Sequence, residues 1–256
     1  MKAVILAGGL GTRLSEDTAV RPKPMVEIGG RPILWHILKS YSYHGVNDFI
    51  ICCGYRGNVI KEYFSNYFLH SSDVTFNLNS KSVEVHNTRA EPWSVTLVDT
   101  GETSMTGGRL KKIENYVKNE EAFCMTYGDG LSDVDISETI KFHKSHGRNA
   151  TVVAPFAPGR FGHLKILEDK VIKFAEKPKS DEARINGGFF VLSPKVLDLI
   201  RSDETSWEME PLSKLSDKGE LMAFKHDGFF RPMDTLSDKI HLNSLWENNA
   251  APWKVW

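Results

Sequence analysis

Apolar residues fall along this chain in two alternating rhythms. Short unbroken runs, Lys2–Ala7, Asp48–Cys53 and Phe123–Tyr127, read as strands covered on both faces, while Ile33, Leu34, Ile37, Leu38 and Tyr41 recur at helical spacing. That spacing predicts a helix over Pro32–Tyr43, with Pro32 at the first helical position, where its missing N–H is not needed. A second helix is predicted over Gly57–Phe68. Alternation of this kind produces βαβ units and a mostly parallel sheet.

From about Ser71 to Thr100 the pattern shortens, as in Val74–Leu78 and Val95–Val98, which predicts antiparallel or edge pieces between the crossovers. The second half mixes strand patterns (Ala150–Pro155, His163–Leu167, Val171–Phe174, Gly188–Leu192) with helical ones after Ser193-Pro194 and after Ser237, an α+β addition to the core sheet. Neither a repeat nor a Pro/Ser-rich linker interrupts the chain. One domain is therefore expected over residues 1–256, in two halves that meet at about residue 135.

Composition narrows the partners. Lys and Arg total 32 against 33 Asp and Glu, so no global field is available to hold nucleic acid or an anionic membrane, and an anionic ligand needs a local cluster of cations. No stretch reaches the ~20 apolar residues of a membrane helix. Cys52, Cys53 and Cys124 lie inside apolar strand patterns without metal-ligand spacing, and buried free thiols suit a reducing compartment. A soluble, cytoplasmic protein is expected.

The candidate chemistry begins after the first strand, at Gly8-Gly9-Leu10-Gly11-Thr12-Arg13. Glycines in such a turn let main-chain N–H groups face a phosphate with no Cβ in the way, and Arg13 adds a planar cationic fork. Lys23 follows ten residues later, its backbone stiffened between Pro22 and Pro24. Neither of two common phosphate motifs is present: no Gly precedes a Lys-Ser or Lys-Thr pair, and Leu14 stands where a dinucleotide fingerprint requires Gly or Ala.

The run Leu6–Leu14 together with Arg21-Pro22-Lys23-Pro24-Met25 resembles the signature of sugar-1-phosphate nucleotidyltransferases. The resemblance continues through Tyr127–Gly130, Glu176-Lys177-Pro178, Asn186–Gly188 and Pro232–Thr235. It implies a Rossmann-like, three-layer α/β fold with a mixed, mostly parallel sheet. It also implies transfer of a nucleotidyl group from a triphosphate to a sugar phosphate, with CTP and glucose 1-phosphate as substrates, Mg²⁺ as cofactor and a homo-oligomer, a hexamer by analogy. A role in surface-polysaccharide synthesis is a further implication of the same likeness.

In that reaction the nucleophile is already anionic, so positioning and charge neutralisation are what the protein must supply. Arg13 and Lys23 are the catalytic candidates. Leu6, Ala7, Gly8, Gly9, Gly11, Thr12, Arg13, Ser104, Arg109 and Gly128 are the nucleotide candidates, with Ser104 and Arg109 in a polar, glycine-rich segment suited to the base. Lys23, Glu176, Lys177, Asn186 and Gly188 are assigned to the sugar phosphate. Asp129, in a Gly-Asp-Gly turn after a strand, and Asp234 are the metal candidates.

Two alternatives compete. A metal-dependent glycosyltransferase would use Asp133-Val134-Asp135, and a silent regulatory subunit would be free to lose Arg13, Lys23, Asp129, Lys177 and Asp234, which this chain keeps. His36, His143 and His146 read as ordinary packing or surface residues. Trp246, Trp253 and Trp256 make the C-terminal tail too aromatic to float; it docks on its own domain or on another subunit, the oligomeric family favouring the second.

Overall fold

Strands covered on both faces need a layer of helices on each side, and that is how the chain folds. The computed structural model describes residues 1–11, 14, 18, 20–157, 163–167, 170–175 and 184–256, those between 163 and 175 by backbone alone. Seven strands form the central sheet: β1 (Lys2–Ala7), β2 (Asp48–Cys53), β3 (Ser94–Asp99), β4 (Phe123–Tyr127), β5 (Ala150–Pro155), β6 (Phe189–Leu192) and β7 (Leu221–His226). Their order across the sheet is β7-β5-β6-β4-β1-β2-β3. All neighbours run parallel except at β6, which is antiparallel to β4 and β5.

Period-two alternation divides β1 between two cores. Ala3, Ile5 and Ala7 join α1 (Ile33–Tyr43) and Ile60 of α2 (Gly57–Ser65) on one face. Val4 and Leu6 join Leu110 of α3 (Thr106–Lys112), Ile113 and Val117 on the other. Ile136 of α4 (Ile136–His146) lies on the first face, Leu215 of α5 (Glu210–Asp217) on the second, and Leu242 of α6 (Leu236–Glu247) on the first. Each fully buried Leu or Ile in these layers contributes roughly 1.5–3 kcal/mol relative to exposure.

Several sequence expectations shift. The first helix begins at Ile33: Pro32 is its N-cap, with ψ 143°, because its extended backbone pairs with Glu27 in a two-residue ladder. The pattern over 57–68 breaks at Asn66, giving α2 and a separate turn of helix, Tyr67–His70. Ser94–Asp99 is an edge piece but not antiparallel; it adds to the sheet in parallel beside β2. The stretch before it does form an antiparallel ribbon, Ser72–Asn77 with Ser82–Thr88. After Ser193 comes a 3-10 segment, Pro194–Leu199.

The C-terminal aromatics dock on their own chain rather than waiting for another subunit. Trp253 is fully buried, and its indole N–H donates to His36 Nδ1 at 3.3 Å while His36 Nε2 bonds Ile28 O at 2.9 Å. Burial lowers the His36 pKa to about 4, keeping the ring neutral so that one nitrogen can accept. The three cysteines are buried and free, and burial pushes Cys53 up to about 11 and Cys124 to about 12, so they are inert thiols. Among the described residues no helix is long and apolar enough to cross a membrane.

Candidate active site

The parallel strands β1 and β4 end side by side, Leu6 opposite Tyr127, and the chain leaves each through glycine. Gly128 N closes the pair by donating to Leu6 O at 3.0 Å. A Cβ at Gly128 would approach Pro24 Cγ to 2.8 Å, so the glycine lets the Lys23 turn come close. Above these strand ends opens a cavity of about 530 Å³. Ligands meet α/β sheets at such carboxyl ends.

Of the residues singled out from sequence, the cavity brings together Leu6, Ala7, Gly8, Gly9, Gly11, Lys23, Ser104, Arg109, Gly128, Asp129, Asn186, Gly188 and Asp234. Thr12, Arg13, Glu176 and Lys177 lie outside the described residues. Gly11 has φ +66°, a left-handed conformation that favours glycine, and a Cβ there would stand 3.2 Å from Lys23 Cβ, so the loop and the lysine are in contact.

Lys23 occupies a 3-10 turn, Lys23–Met25, entered from Pro22. Its Nζ lies 2.7 Å from Asp129 Oδ2 and 2.7 Å from Asp234 Oδ1. Burial would lower its pKa, but the charges and hydrogen bonds of the two carboxylates outweigh that and raise it. Asp129 and Asp234 are 105 positions apart and meet through a small antiparallel ladder, Gly130–Ser132 with Phe230–Pro232, Gly130 opposite Pro232. One step beyond, Met233 N donates to Asp129 O at 2.8 Å.

A capping box then fixes Asp234. Thr235 and Asp238 bond reciprocally at the start of α6, and Asp238 Oδ2 also accepts from Asp234 N at 3.2 Å. Asp238 is held from below by Arg231 Nη2 at 3.0 Å and is 1% exposed. The Thr235-x-x-Asp238 spacing is a helix-start signal in the sequence that gives Asp234 the local context it otherwise lacks.

Two carboxylates converging on one cation position suit Mg²⁺, which takes one or two protein carboxylates and completes its shell with phosphate and water. Among the described residues no group of three or more His, Cys, Asp or Glu gathers as a metal site. A metal here would share its ligands with substrate.

Arg109 and Ser104 reach the cavity with their polar groups engaged. Arg109 Nη2 donates to Gly8 O at 2.9 Å and Glu102 O at 3.1 Å, and Nη1 to Gly101 O and Thr100 Oγ1, each at 2.7 Å. The guanidinium thus clamps the glycine loop to the loop after β3. Gly8 and Gly54 leave it room, since a Cβ at either would strike it. Ser104 Oγ accepts from Lys112 Nζ at 2.9 Å and donates to Asp203 Oδ2 at 3.3 Å. Met105, Thr106, Tyr127 and Gly187, from segments the sequence marked, also line the cavity, as does Phe230, which it did not mark.

Asp133 and Asp135 do not form an Asp-x-Asp metal site. Asp133 Oδ1 accepts from Phe229 N at 2.7 Å and pairs with His226 at 2.9 Å, while Asp135 caps α4 through Glu138 N at 2.9 Å. The two side chains serve different elements, and the glycosyltransferase alternative loses its metal site. His143 and His146 both bond the Thr151 hydroxyl, at 2.9 and 2.7 Å, as packing residues.

A cavity that sets main-chain glycines and a lysine–carboxylate cluster around the strand ends suits a reaction between two phosphates. The fold and site define a nucleotidyltransferase. Residues 2–228 match the nucleotidyl transferase family, and the chain belongs to it. Over 256 residues and 100% of both chains it is 67% identical to the glucose-1-phosphate cytidylyltransferase of Salmonella typhimurium. It is 34% identical to the mannose-1-phosphate guanyltransferase of Saccharomyces cerevisiae, over 96% of this chain and 66% of that one. Among solved structures, HddC from Yersinia pseudotuberculosis complexed with GMP-PN superposes with a TM-score of 0.70 at 25% identity, covering 96% of this chain and 99% of that one.

Proposed function

We propose that this enzyme transfers a cytidylyl group from CTP to α-D-glucose 1-phosphate, forming CDP-glucose and pyrophosphate. A phosphate oxygen of the sugar phosphate attacks the α-phosphorus in line. The bond from that phosphorus to the bridging oxygen breaks, and pyrophosphate leaves with the electron pair. One observation carries the choice of substrates: the 67% identity over all of both chains to the Salmonella typhimurium enzyme of that name.

The residues divide the work by chemistry. The glycine loop, held by Arg109, presents main chain to the triphosphate, with Arg13 as its cationic fork. Lys23 lies beside both carboxylates, where a point charge neutralises the sugar phosphate as it nears the α-phosphorus. Asn186 and Gly188 line the cavity and are assigned to the sugar phosphate; Glu176 and Lys177 take the same assignment from the motif, the carboxylate to accept from sugar hydroxyls and the ammonium to hold the phosphate. Asp129 and Asp234 would hold Mg²⁺, which supplies charge neutralisation between phosphoryl oxygens. The chain is read as one domain, nucleotide on residues 1–135 and sugar and subunit contacts on 136–256, working as a cytoplasmic homo-oligomer.

The test is pyrophosphate release from CTP, glucose 1-phosphate and Mg²⁺, compared with UTP, dTTP and ATP. CTP is expected to give the highest kcat/KM. Equal or higher values with another triphosphate would overturn the base assignment, and no release with any of them the whole reading.

A further inference from the structure

A strap, residues 202–208, packs against the start of α3 beside the cavity lining. Its main chain lies directly on a glycine face of that helix: Met105 N donates to Asp203 O at 2.8 Å and Gly108 N to Thr205 O at 3.2 Å. A Cβ at Gly107 would come to 2.6 Å from Thr205 O, so the close seat requires the glycine. Trp207 anchors the strap, with its side chain fully buried and its N donating to Thr106 Oγ1 at 2.9 Å.

Glu208 ends the strap. Its carboxylate accepts from three hydroxyls: Thr106 Oγ1 at 2.6 Å, Ser206 Oγ at 2.7 Å and the Tyr127 hydroxyl through a short bond. Burial alone would raise the Glu208 pKa, but these hydrogen bonds bring it below the ordinary value. The carboxylate is the acceptor in all three bonds and the hydroxyls are the donors.

The two held residues both line the cavity, from two different elements. Thr106 opens α3, next to Ser104 and Met105. Tyr127 ends β4, directly before Gly128 and Asp129, and its ring lies so near Gly188 that a Cβ there would be 3.0 Å from Tyr127 Cε2. Gly188 N is itself held by Asn186 Oδ1 at 2.8 Å. Glu208, which does not line the cavity, is the group both residues share.

We infer that Glu208 is a positioning residue: by holding Tyr127 and Thr106 at a fixed separation, its carboxylate sets the position of the Tyr127 wall beside Gly188, on the side of the cavity proposed for the sugar phosphate. The inference rests on the substrates proposed above. A wall that touches sugar phosphate equally in the ground and transition states governs KM more than kcat.

Steady-state kinetics on wild type, Glu208→Ala, Glu208→Gln, Tyr127→Phe and the Glu208→Ala/Tyr127→Phe double variant test this, with thermal unfolding run beside them. Glu208→Ala is expected to raise KM for glucose 1-phosphate about tenfold, about 1.4 kcal/mol, with kcat changed far less. Glu208→Gln should recover most of that loss, since an amide still bonds hydroxyls. Tyr127→Phe should raise the same KM, and the double variant should be no worse than the worse single, as coupled partners require.

An unchanged KM in a folded Glu208→Ala, no rescue by glutamine, or independent effects that multiply in the double variant would each overturn the inference. If Glu208→Ala does not fold, Tyr127→Phe and Glu208→Gln decide: an unchanged KM in Tyr127→Phe overturns it. Wild type that releases no pyrophosphate from CTP and glucose 1-phosphate sinks the substrate reading itself, whereas active wild type with an unaffected Glu208→Ala sinks only this inference.

Discussion

Lys23→Met keeps the length of the side chain and removes its charge from between two carboxylates. Both carboxylate oxygens lie 2.7 Å from the same Nζ, so they are at most twice that distance apart. At an effective dielectric of about 20 their bare repulsion is roughly 3 kcal/mol. The carboxylate side chains are 30% and 27% exposed, so solvent and salt screen this to about 1–2 kcal/mol. For a chain of this size that corresponds to a fall in Tm of roughly 2–8 °C in metal-free buffer.

Excess Mg²⁺ without nucleotide should then return the variant toward the wild-type Tm, because tenfold excess over Kd contributes about 1.4 kcal/mol. Wild type should respond less, since the lysine ammonium already sits where the metal would bind. Thermal unfolding of both proteins in chelator and in Mg²⁺ makes the comparison, and turnover of the variant should fall by roughly 10²–10³. Equal stabilisation of the two proteins by Mg²⁺ alone would refute the idea that Lys23 holds the place of the metal until phosphates draw it away.

Asp129→Asn should remain folded, with unfolding close to wild type, and lose roughly 10²–10³ in kcat; wild-type turnover would remove Asp129 from the site. Gly8→Ala should drive the Arg109 guanidinium off Gly8 O, lowering stability by about 1–3 kcal/mol and raising KM for the nucleotide, while Gly9→Ala, with nothing within 4 Å of the new methyl, should unfold like wild type. Burial lowers His36 and His143 to about 4, whereas in the unfolded chain both titrate near 6.5, so the unfolded state takes up protons first as pH falls. Stability is therefore fully present above about pH 6.5 and lost down to about pH 4, on the order of 3 kcal/mol per histidine; a flat denaturation midpoint from about pH 7 to 5 would contradict this.

The sequence carries the sheet well where burial is two-sided. The runs Lys2–Ala7, Asp48–Cys53 and Phe123–Tyr127 are bounded in the fold as they read in the sequence, because continuous apolar runs between glycines and turns leave little choice of face. Ser94–Asp99 is harder, since whether a short polar-apolar strand pairs in parallel or antiparallel depends on the connection that delivers it. Contacts between distant positions were not legible at all. Glu208 lies 81 residues from the tyrosine it holds, and the Arg109 clamp closes on carbonyls of two separate loops. An arginine among glycines reads as a ligand group when its partners are main-chain oxygens that every residue possesses. The indole–imidazole bond that ties the C-terminal tail to α1 spans 217 positions and is equally invisible to local pattern.

The ladder between Gly130–Ser132 and Phe230–Pro232 has a consequence for synthesis. On the ribosome, β1 and the glycine loop emerge long before Asp234, so one part of the cavity lining is made well before the carboxylate pair exists. A chain that stops before the ladder cannot bring Asp234 to Asp129. Turnover thus requires that synthesis has passed Asp234 and that the ladder has closed around it.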